Sequence, residues 1–248
     1  MKPKKLIASG PNVDVYQEGD IVVKIFKDNL PKTAAMYEAL THSRIETTGL
    51  PIPTIHEISK IDGKWAITMD CIEGKTLHQV MKEDPENIEK YIDEMVDLQL
   101  EVHSKTAPLL SKLKDKLARQ IKSLESIDEV KKYELLTRLE SMPKHTKLCH
   151  GNFTPMNIIL SNDKTYIVDW VAARQGNASA DVGRTYLMLC LDFPEVAEMY
   201  LDKFCEKSKT LKQYVQAWLP IIAAAQLTQS KPEEEELLMK WIDVVDYE

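Results

Sequence analysis

The stretch that decides the fold is HGNFTPMNIIL at residues 150–160, followed by VDW at residues 168–170. It predicts a loop, a strand, a tight turn and a second strand that ends on a carboxylate. Because the two strands form a hairpin, we expect Asn157 and Asp169 to lie side by side. Amide and carboxylate oxygens are hard ligands of the kind that Mg²⁺ prefers. The pair is a candidate metal site, and ordinary polar residues at a turn and a strand end are the alternative.

The sequence before residue 71 predicts strands with one helix among them. Residues 13–26 contain two β-branched segments that flank a glycine turn, which predicts a hairpin. Residues 32–47 predict a helix that ends before the proline-containing loop GLPIP. A second hairpin is expected around Asp62 and Gly63, because this dipeptide is typical of two-residue turns. The region is therefore predicted to hold four or five antiparallel strands and one helix.

After residue 74 the pattern changes to apolar residues at three- and four-residue spacing, which predicts a helical region. The predicted helical stretches are 76–83, 86–103, 111–126 and 128–141. The hairpin, with its turn at 161–164, interrupts them, and helices resume from about residue 180. We therefore predict an N-lobe of residues 1–70, a hinge of 71–74 and a helical C-lobe of 75–248.

Charge and cysteine content narrow the class of protein. The formal net charge of −7 disfavours nucleic acid as a partner, because phosphate backbones are bound by clustered Lys and Arg. The charge is more compatible with cationic small substrates, and an acidic excess that mainly serves solubility is the alternative. The four cysteines are scattered without CxxC spacing, so we interpret them as reduced thiols. With no run of 18 apolar residues and no leader-like segment, a cytoplasmic protein without a membrane partner is expected.

The motif resembles the signature of the aminoglycoside phosphotransferase and choline kinase family, HGDxxxxN followed by a hairpin and [IV]DW. The resemblance covers most of the chain and is strongest over residues 148–189. It implies an α+β, protein-kinase-like fold of two lobes that binds ATP with Mg²⁺ and phosphorylates a hydroxylated small molecule. It also implies Asn157 and Asp169 as metal ligands and Asn152 and Asp169 as catalytic residues.

The resemblance extends to the predicted N-lobe. Lys24 lies mid-strand, where the family places the lysine that pairs with the α- and β-phosphates, and a solvated strand lysine is the alternative. Glu38 on the predicted helix is the expected partner of this lysine, with Glu46 as the competing assignment. Asp70 and Ile72 match the hinge positions whose backbone groups bind the adenine edge.

Three positions depart from the family signature: Asn152 replaces the base aspartate, Thr154 a frequent histidine, and Met156 a frequent glycine. An amide can orient a hydroxyl group, but it cannot accept the proton. General base catalysis contributes about 10²–10⁴-fold, whereas phosphoryl transfer depends mainly on positioning and on charge neutralisation. Two functions therefore stay open: an ATP-dependent phosphotransferase, or a catalytically weak nucleotide-binding pseudokinase with a regulatory or partner-binding role.

Weaker features carry less information about function. Asp181 resembles the aspartate that braces the catalytic loop, and a carboxylate facing a helix dipole is its alternative. His103 is expected to pack or cap rather than to catalyse. The acidic run at 233–236 is most simply a first helical turn, with the rim of a cationic substrate site as the alternative.

Overall fold

The structure, a computed structural model, describes residues 5–162 and 164–243. The strands are β1 (Lys5–Ser9), β2 (Val13–Glu18), β3 (Ile21–Phe26), β4 (Ile55–Ile61), β5 (Lys64–Asp70), β6 (Lys75–Thr76), β7 (Lys147–Cys149), β8 (Ile158–Leu160), β9 (Thr165–Ile167) and β10 (Arg174–Gly176). The helices are α1 (Lys32–Glu46), α2 (Leu77–Glu83), α3 (Ile88–Ser104), α4 (Leu113–Ser123), α5 (Glu129–Ser141), α6 (Ala178–Asp192), α7 (Pro194–Ser208), α8 (Lys212–Gln216), α9 (Leu219–Leu227) and α10 (Pro232–Ile242).

These elements confirm the predicted α+β class, with an N-terminal antiparallel sheet, one helix beside it and a mainly helical remainder. Helices α2 to α5 confirm the four predicted helical stretches. Asp163 in the predicted turn and residues 244–248 of the predicted C-lobe lie outside the described residues. Within residues 5–162 and 164–243, every helix is too short or too polar to serve as a membrane span.

The chain divides into two compact units. The first contains the described residues up to Glu83 together with Pro155–Ala172, and the second contains Asp84–Thr154 and the described residues from Ala173 onward. The hairpin of β8 and β9 thus belongs to the first unit, although its sequence lies within the helical part of the chain. The functional division into an N-lobe, a hinge at 71–74 and a C-lobe stays a prediction.

The main sheet of the first unit has the order β1-β2-β3-β5-β4, and all neighbouring strands are antiparallel. Strand β3 is central. Asp62 and Gly63 both have positive φ, at 50° and 84°, as a two-residue turn between β4 and β5 requires. Helix α1 packs on one face of the sheet, where Phe26, Ala35 and Ile67 form part of the core. Local turn chemistry therefore sets the pairing of β4 with β5.

A smaller sheet in the same unit has the order β6-β8-β9. The pair β8 and β9 is the hairpin predicted from the sequence, with Ile158 opposite Ile167. One further hydrogen bond, from the Val168 N–H to the Asn157 carbonyl at 3.0 Å, extends the pairing to the ends of the hairpin. Trp170 follows, almost fully buried, and its indole N–H donates to the Ile167 carbonyl. These contacts fix the segment that carries Asp169.

The second unit is built around helices α4, α5, α6, α9 and α10, which share one hydrophobic core. Leu117, Ile121, Leu187, Trp218 and Ile222 are among its buried residues. Strands β7 and β10 form a short antiparallel pair that the sequence analysis did not predict. The acidic run 233–236 lies in the first turns of α10, where the carboxylates complement the helix dipole.

Gly74 is expected to be intolerant of any side chain. A Cβ atom at this position would overlap the carbonyl oxygen of Leu160 and lie 2.9 Å from its carbonyl carbon, and backbone atoms do not yield as side chains do. Gly74→Ala should therefore lower the free energy of unfolding by about 1–3 kcal/mol, as overpacking typically does. Urea unfolding without ligands measures the change. Gly10→Ala is the matched control, because its Cβ would meet only ordinary contacts. Equal stability of both variants would contradict the assigned packing of Gly74.

Candidate active site

Lys24 occupies the central strand of the main sheet, paired with Val15 on one side and Ile67 on the other. It is buried, and its amine donates to the carboxylate of Glu38 and, at 3.3 Å, to the Oδ1 atom of Asp169. Burial alone would lower the pKa of Lys24, but the two carboxylates raise it above its ordinary value. Lys24 is therefore a protonated, buried cation rather than a solvated strand lysine.

The two glutamates of α1 have different partners. Glu38 is buried and contacts Lys24. Glu46 instead accepts a hydrogen bond from the Ile55 backbone N–H at 2.8 Å and lies 3.8 Å from the His42 ring. Of the two assignments that the sequence left open, the structure brings Glu38 to the lysine and uses Glu46 to hold the start of β4.

Asp169 and Asn157 lie at the same end of the β8–β9 hairpin. Asp169 has a φ of 63°, in the left-handed region that few residues other than Gly, Asn and Asp adopt readily. Its side chain remains partly exposed while one oxygen faces Lys24. Asn157 ends a 3₁₀ turn at Pro155–Asn157 immediately before β8. The hairpin thus presents one carboxylate and one amide, both of them hard donors.

A cavity of about 470 Å³ is lined entirely by residues of the first unit. Its polar lining includes Lys24, Glu38, Asp70, Asn157 and Asp169. Its apolar lining includes Val15, Val22, Met69, Ile72, Ile159 and Val168. The structure therefore brings together six of the seven residues predicted for the site. The apolar lining was not predicted from the sequence, although Val22 and Lys24 point to the same face of one strand and could have indicated part of it.

Asp70 and Ile72 lie at the edge of this cavity. The Asp70 carboxylate accepts from the Thr54 N–H and contacts the His56 ring, each at 2.8 Å. Although burial opposes it, these hydrogen bonds lower the pKa of Asp70. Ile72 lines the cavity, and its N–H makes no hydrogen bond to the described residues. The carboxylate of Asp70 is therefore structural, and the backbone around Ile72 can receive a ligand.

The loop between β1 and β2 closes on itself at the cavity edge. The Gly10 N–H donates to the Val13 carbonyl at 2.9 Å, and the Ser9 hydroxyl donates to Asp14 at 2.6 Å. Lys27, which the sequence analysis did not single out, donates to the Gly10 carbonyl at 2.6 Å. Because the loop uses its own N–H group, few backbone donors there can reach a phosphate.

Asn152 belongs to the second unit, on a loop held by buried Asp181. The Asp181 carboxylate accepts from the backbone N–H groups of His150 and Gly151, at 3.0 and 2.7 Å. Gly151 has a φ of 78°, which lets the loop turn toward these acceptors. The Asn152 N–H donates to the Nδ1 atom of His150 at 3.2 Å. Asp181 therefore braces this loop. Of the two alternatives for Asp181, this is the one that resembles the family, and the other was a carboxylate facing a helix dipole.

His103 completes this network. It is buried at the end of α3, and its Nε2 atom lies 3.0 Å from Asp181. Burial opposes ionisation, but the hydrogen bond to His103 and the charges of both histidines lower the pKa of Asp181. His103 also packs edge-on against Phe204. The expectation that His103 packs rather than catalyses agrees with these contacts.

Similarity to solved structures supports the fold. The apo form of a thermostable mutant of aminoglycoside phosphotransferase APH(4)-Ia matches with a TM-score of 0.72 and 13% identity, over 98% of this chain and 93% of that chain. The streptomycin–ATP ternary complex of APH(2")-IIa matches with a TM-score of 0.62 and 19% identity, over 98% of this chain and 92% of that chain. A choline/ethanolamine kinase family protein from Mesorhizobium loti matches with a TM-score of 0.62 and 13% identity, over 99% of this chain and 90% of that chain. At these identities the similarity shows the protein-kinase-like fold.

The sequence comparison identifies the family. No curated protein matches the chain significantly. Residues 7–219 match the phosphotransferase enzyme family (APH), which confirms the resemblance carried by HGNxxxxN and VDW. Because the match spans most of the 248 residues, this protein belongs to the phosphotransferase enzyme family.

Proposed function

We propose that this chain is an ATP- and magnesium-dependent phosphotransferase that phosphorylates a hydroxyl group of a small molecule. The observation that carries the proposal is the ion cluster of buried Lys24 and Glu38 with partly exposed Asp169 in the wall of the cavity. A volume of about 470 Å³ lies within the range of small-molecule sites. A fixed cation, a carboxylate and an amide in one cavity are the groups that phosphoryl transfer requires.

The donor set at the hairpin end fits magnesium. Mg²⁺ is usually held by one or two carboxylates together with substrate phosphates and water, and Asp169 with Asn157 supplies such a partial set. When bound, the ion would neutralise charge on the phosphates and orient the transferred group. Lys24 would hold phosphate oxygens, and Glu38 would keep the lysine extended in that direction.

The other end of the cavity suits adenine. Residues 70–72 line this part of the cavity, and the N–H of Ile72 is available to donate. Val22, Ile159 and Val168 supply apolar surface on which a base can pack. We assign Asp70 and Ile72 to adenine binding through their backbone groups. The Asp70 side chain serves the fold instead.

Asn152 is assigned to the orientation of the acceptor hydroxyl. Its amide can make a hydrogen bond, and the brace by Asp181 fixes the loop that carries it. Because an amide cannot remove the proton, the second candidate function is a nucleotide-binding pseudokinase with a regulatory or partner-binding role. The two candidates share the nucleotide site and differ in turnover.

Magnesium with ATP should stabilise the protein against heat, because a ligand that binds only the native state adds RT ln(1 + [L]/Kd), about 2.7 kcal/mol at 100 times Kd. Asp169→Asn should remove the magnesium-dependent part of this gain while ATP alone behaves as with the wild type. Asn is the suitable replacement because it tolerates the positive φ. Differential scanning fluorimetry with and without EDTA measures the effect. A wild type that millimolar Mg·ATP does not stabilise would refute both candidate functions.

The Lys24 cation should matter for nucleotide binding more than for folding. Lys24→Met alone leaves Glu38 buried without its partner, so the informative variant is Lys24→Met with Glu38→Gln, which removes both charges. We expect the double variant to fold and to bind Mg·ATP about 10- to 100-fold more weakly, the effect of losing hydrogen bonds to a charged group. Isothermal titration measures it. Lys60→Met, on exposed β4, is the control, and equal affinities of the two variants would exclude Lys24 from the site.

Asn152→Asp should raise phosphoryl transfer or background ATP hydrolysis by about 10- to 10⁴-fold, the range that general base catalysis supplies. The two side chains are nearly isosteric, and Mg·ATP affinity should stay within a few-fold. Coupled ADP-release assays with and without acceptor measure the rates. Unchanged background turnover would favour the pseudokinase. A brisk wild type that Asn152→Asp slows would show that the amide itself is the catalytic group and that another residue takes the proton.

A further inference from the structure

A second, much smaller cavity lies within the second unit, between helices α4 and α6. Lys116 and Arg184 both line it, together with Gln120, Gly151 and Asp181. Its volume of about 20 Å³ is room for one water-sized group, such as an oxygen atom of a larger ligand. Because Gly151 precedes Asn152, the cavity lies beside the loop proposed to orient the acceptor.

Arg184 is held in place by neutral acceptors. Its Nε atom donates to the Gly151 carbonyl at 2.8 Å, and Nη1 donates to the Gln226 Oε1 atom at 2.6 Å. Gln229 also donates to this oxygen, at 3.0 Å, which fixes it further. Among the described residues, no carboxylate forms an ion pair with Arg184, and Nη2 makes no hydrogen bond. The guanidinium is therefore rigid, and one side of it can still bind a ligand.

Lys116 is a partly buried cation without a partner. In the part of the chain that the structure describes, its amine makes no hydrogen bond or ion pair. On the same helix, the amine of Lys114 donates to two backbone carbonyls, those of Glu140 and Met142. Burial, followed by the charges of Arg184 and Arg174, lowers the pKa of Lys116 to about 7. Burial and the neighbouring positive charges therefore disfavour the protonated form of Lys116, and no direct partner stabilises it.

The carboxylates near Arg184 are already engaged. Asp181 and Glu234 are the acidic groups that act on its charge. Asp181 accepts from His103 and from the loop N–H groups. Glu234 accepts from the Lys231 backbone N–H, at 3.4 Å, and lies 3.8 Å from the Lys231 amine. Arg184 and the Lys116 amine face one cavity, and neither carboxylate forms an ion pair with them, although the charge of Asp181 partly favours the protonated amine. A bound anion would stabilise the charged form of Lys116 and offset its repulsion from Arg184.

We propose that the cavity between Lys116 and Arg184 receives one oxygen atom of an anionic group of the phosphoryl acceptor, a carboxylate or a phosphate. A fixed guanidinium and an ammonium are the side chains that bind such oxyanions most strongly. The assignment to the acceptor rests on the proposed function, because the cavity adjoins the loop of Asn152. The acceptor is then a hydroxylated anion. This differs from the cationic substrate with which the net charge of the chain is compatible.

Direct binding tests the cavity without any catalytic step. Inorganic phosphate and acetate, titrated into the full chain at constant ionic strength, distinguish the two oxyanions. Lys116→Met should weaken binding of the preferred anion about 10- to 100-fold, the loss of a charged hydrogen bond. Lys122→Met is the matched control, because Lys122 is exposed on the same helix. Binding must persist in the double variant Lys24→Met, Glu38→Gln. This result would show that the anion does not bind in the nucleotide cavity. Equal affinity of wild type and Lys116→Met would overturn the proposal.

Stability without anions supplies a second readout. Lys116→Met should unfold at a higher temperature than the wild type, because it removes a desolvated charge that faces Arg184. A lysine with a structural role would lower the melting temperature when it is removed. A lower melting temperature of Lys116→Met together with unchanged phosphate binding would therefore assign Lys116 to the fold and reject the site.

Turnover tests the assignment to the acceptor. Hydroxy acids and sugar phosphates, each paired with its uncharged amide or dephosphorylated form, should show a lower KM for the anionic member, and Lys116→Met should remove the difference. Phosphorylation confined to cationic acceptors such as streptomycin would overturn the assignment. Failure of the proposed function is separately visible, because Mg·ATP would then not stabilise a chain whose phosphate titration still responds to Lys116→Met.

Discussion

The first unit depends on the contact of Lys24 with Glu38 and Asp169. The lysine comes from the central strand, the glutamate from α1 and the aspartate from the end of the β8–β9 hairpin, so one charge joins three segments that are distant in sequence. A buried ammonium is stable only when its charge is compensated. The arrangement that meets this condition also fixes a cation and a carboxylate in one cavity, so the requirement of folding and the proposed phosphate site coincide.

Those parts of the site that follow from local rules could be predicted from the sequence. Asp62-Gly63 defines the two-residue turn between β4 and β5. The β8–β9 hairpin brings its own two ends together, so the proximity of Asn157 and Asp169 followed from residues 150–170 alone. The preference for Glu38 over Glu46 followed from the family resemblance and not from local rules. Both lie on α1, and which one faces Lys24 depends on how the helix packs on the sheet. Propensity and spacing contain no information on that packing.

Other features also could not be predicted from the sequence, because they depend on tertiary packing. Strands β7 and β10 have three residues each and pair across more than twenty intervening residues, too short a pattern for a periodicity signal. Lys116 and Arg184 lie on separate helices, and nothing in either helix alone indicates that they share a cavity. The net charge carries little information on the acceptor for a related reason. The value of −7 is an average over the whole chain, whereas a ligand responds to the few charges that line its site.

The two proposed sites together give a physical reason for an amide, rather than a carboxylate, at Asn152. In relatives with a carboxylate at this position, the residue adds a negative charge to the acceptor side of the loop. Here the loop carbonyl of Gly151 binds Arg184, and the adjoining cavity is proposed to hold an anion. An aspartate at 152 would raise the KM for such an acceptor even where it raises turnover, because like charges repel each other. A neutral amide can orient the hydroxyl without that repulsion. The departure from the family signature is therefore compatible with catalysis on an anionic acceptor, in which the lost basicity is balanced against tighter binding of the substrate.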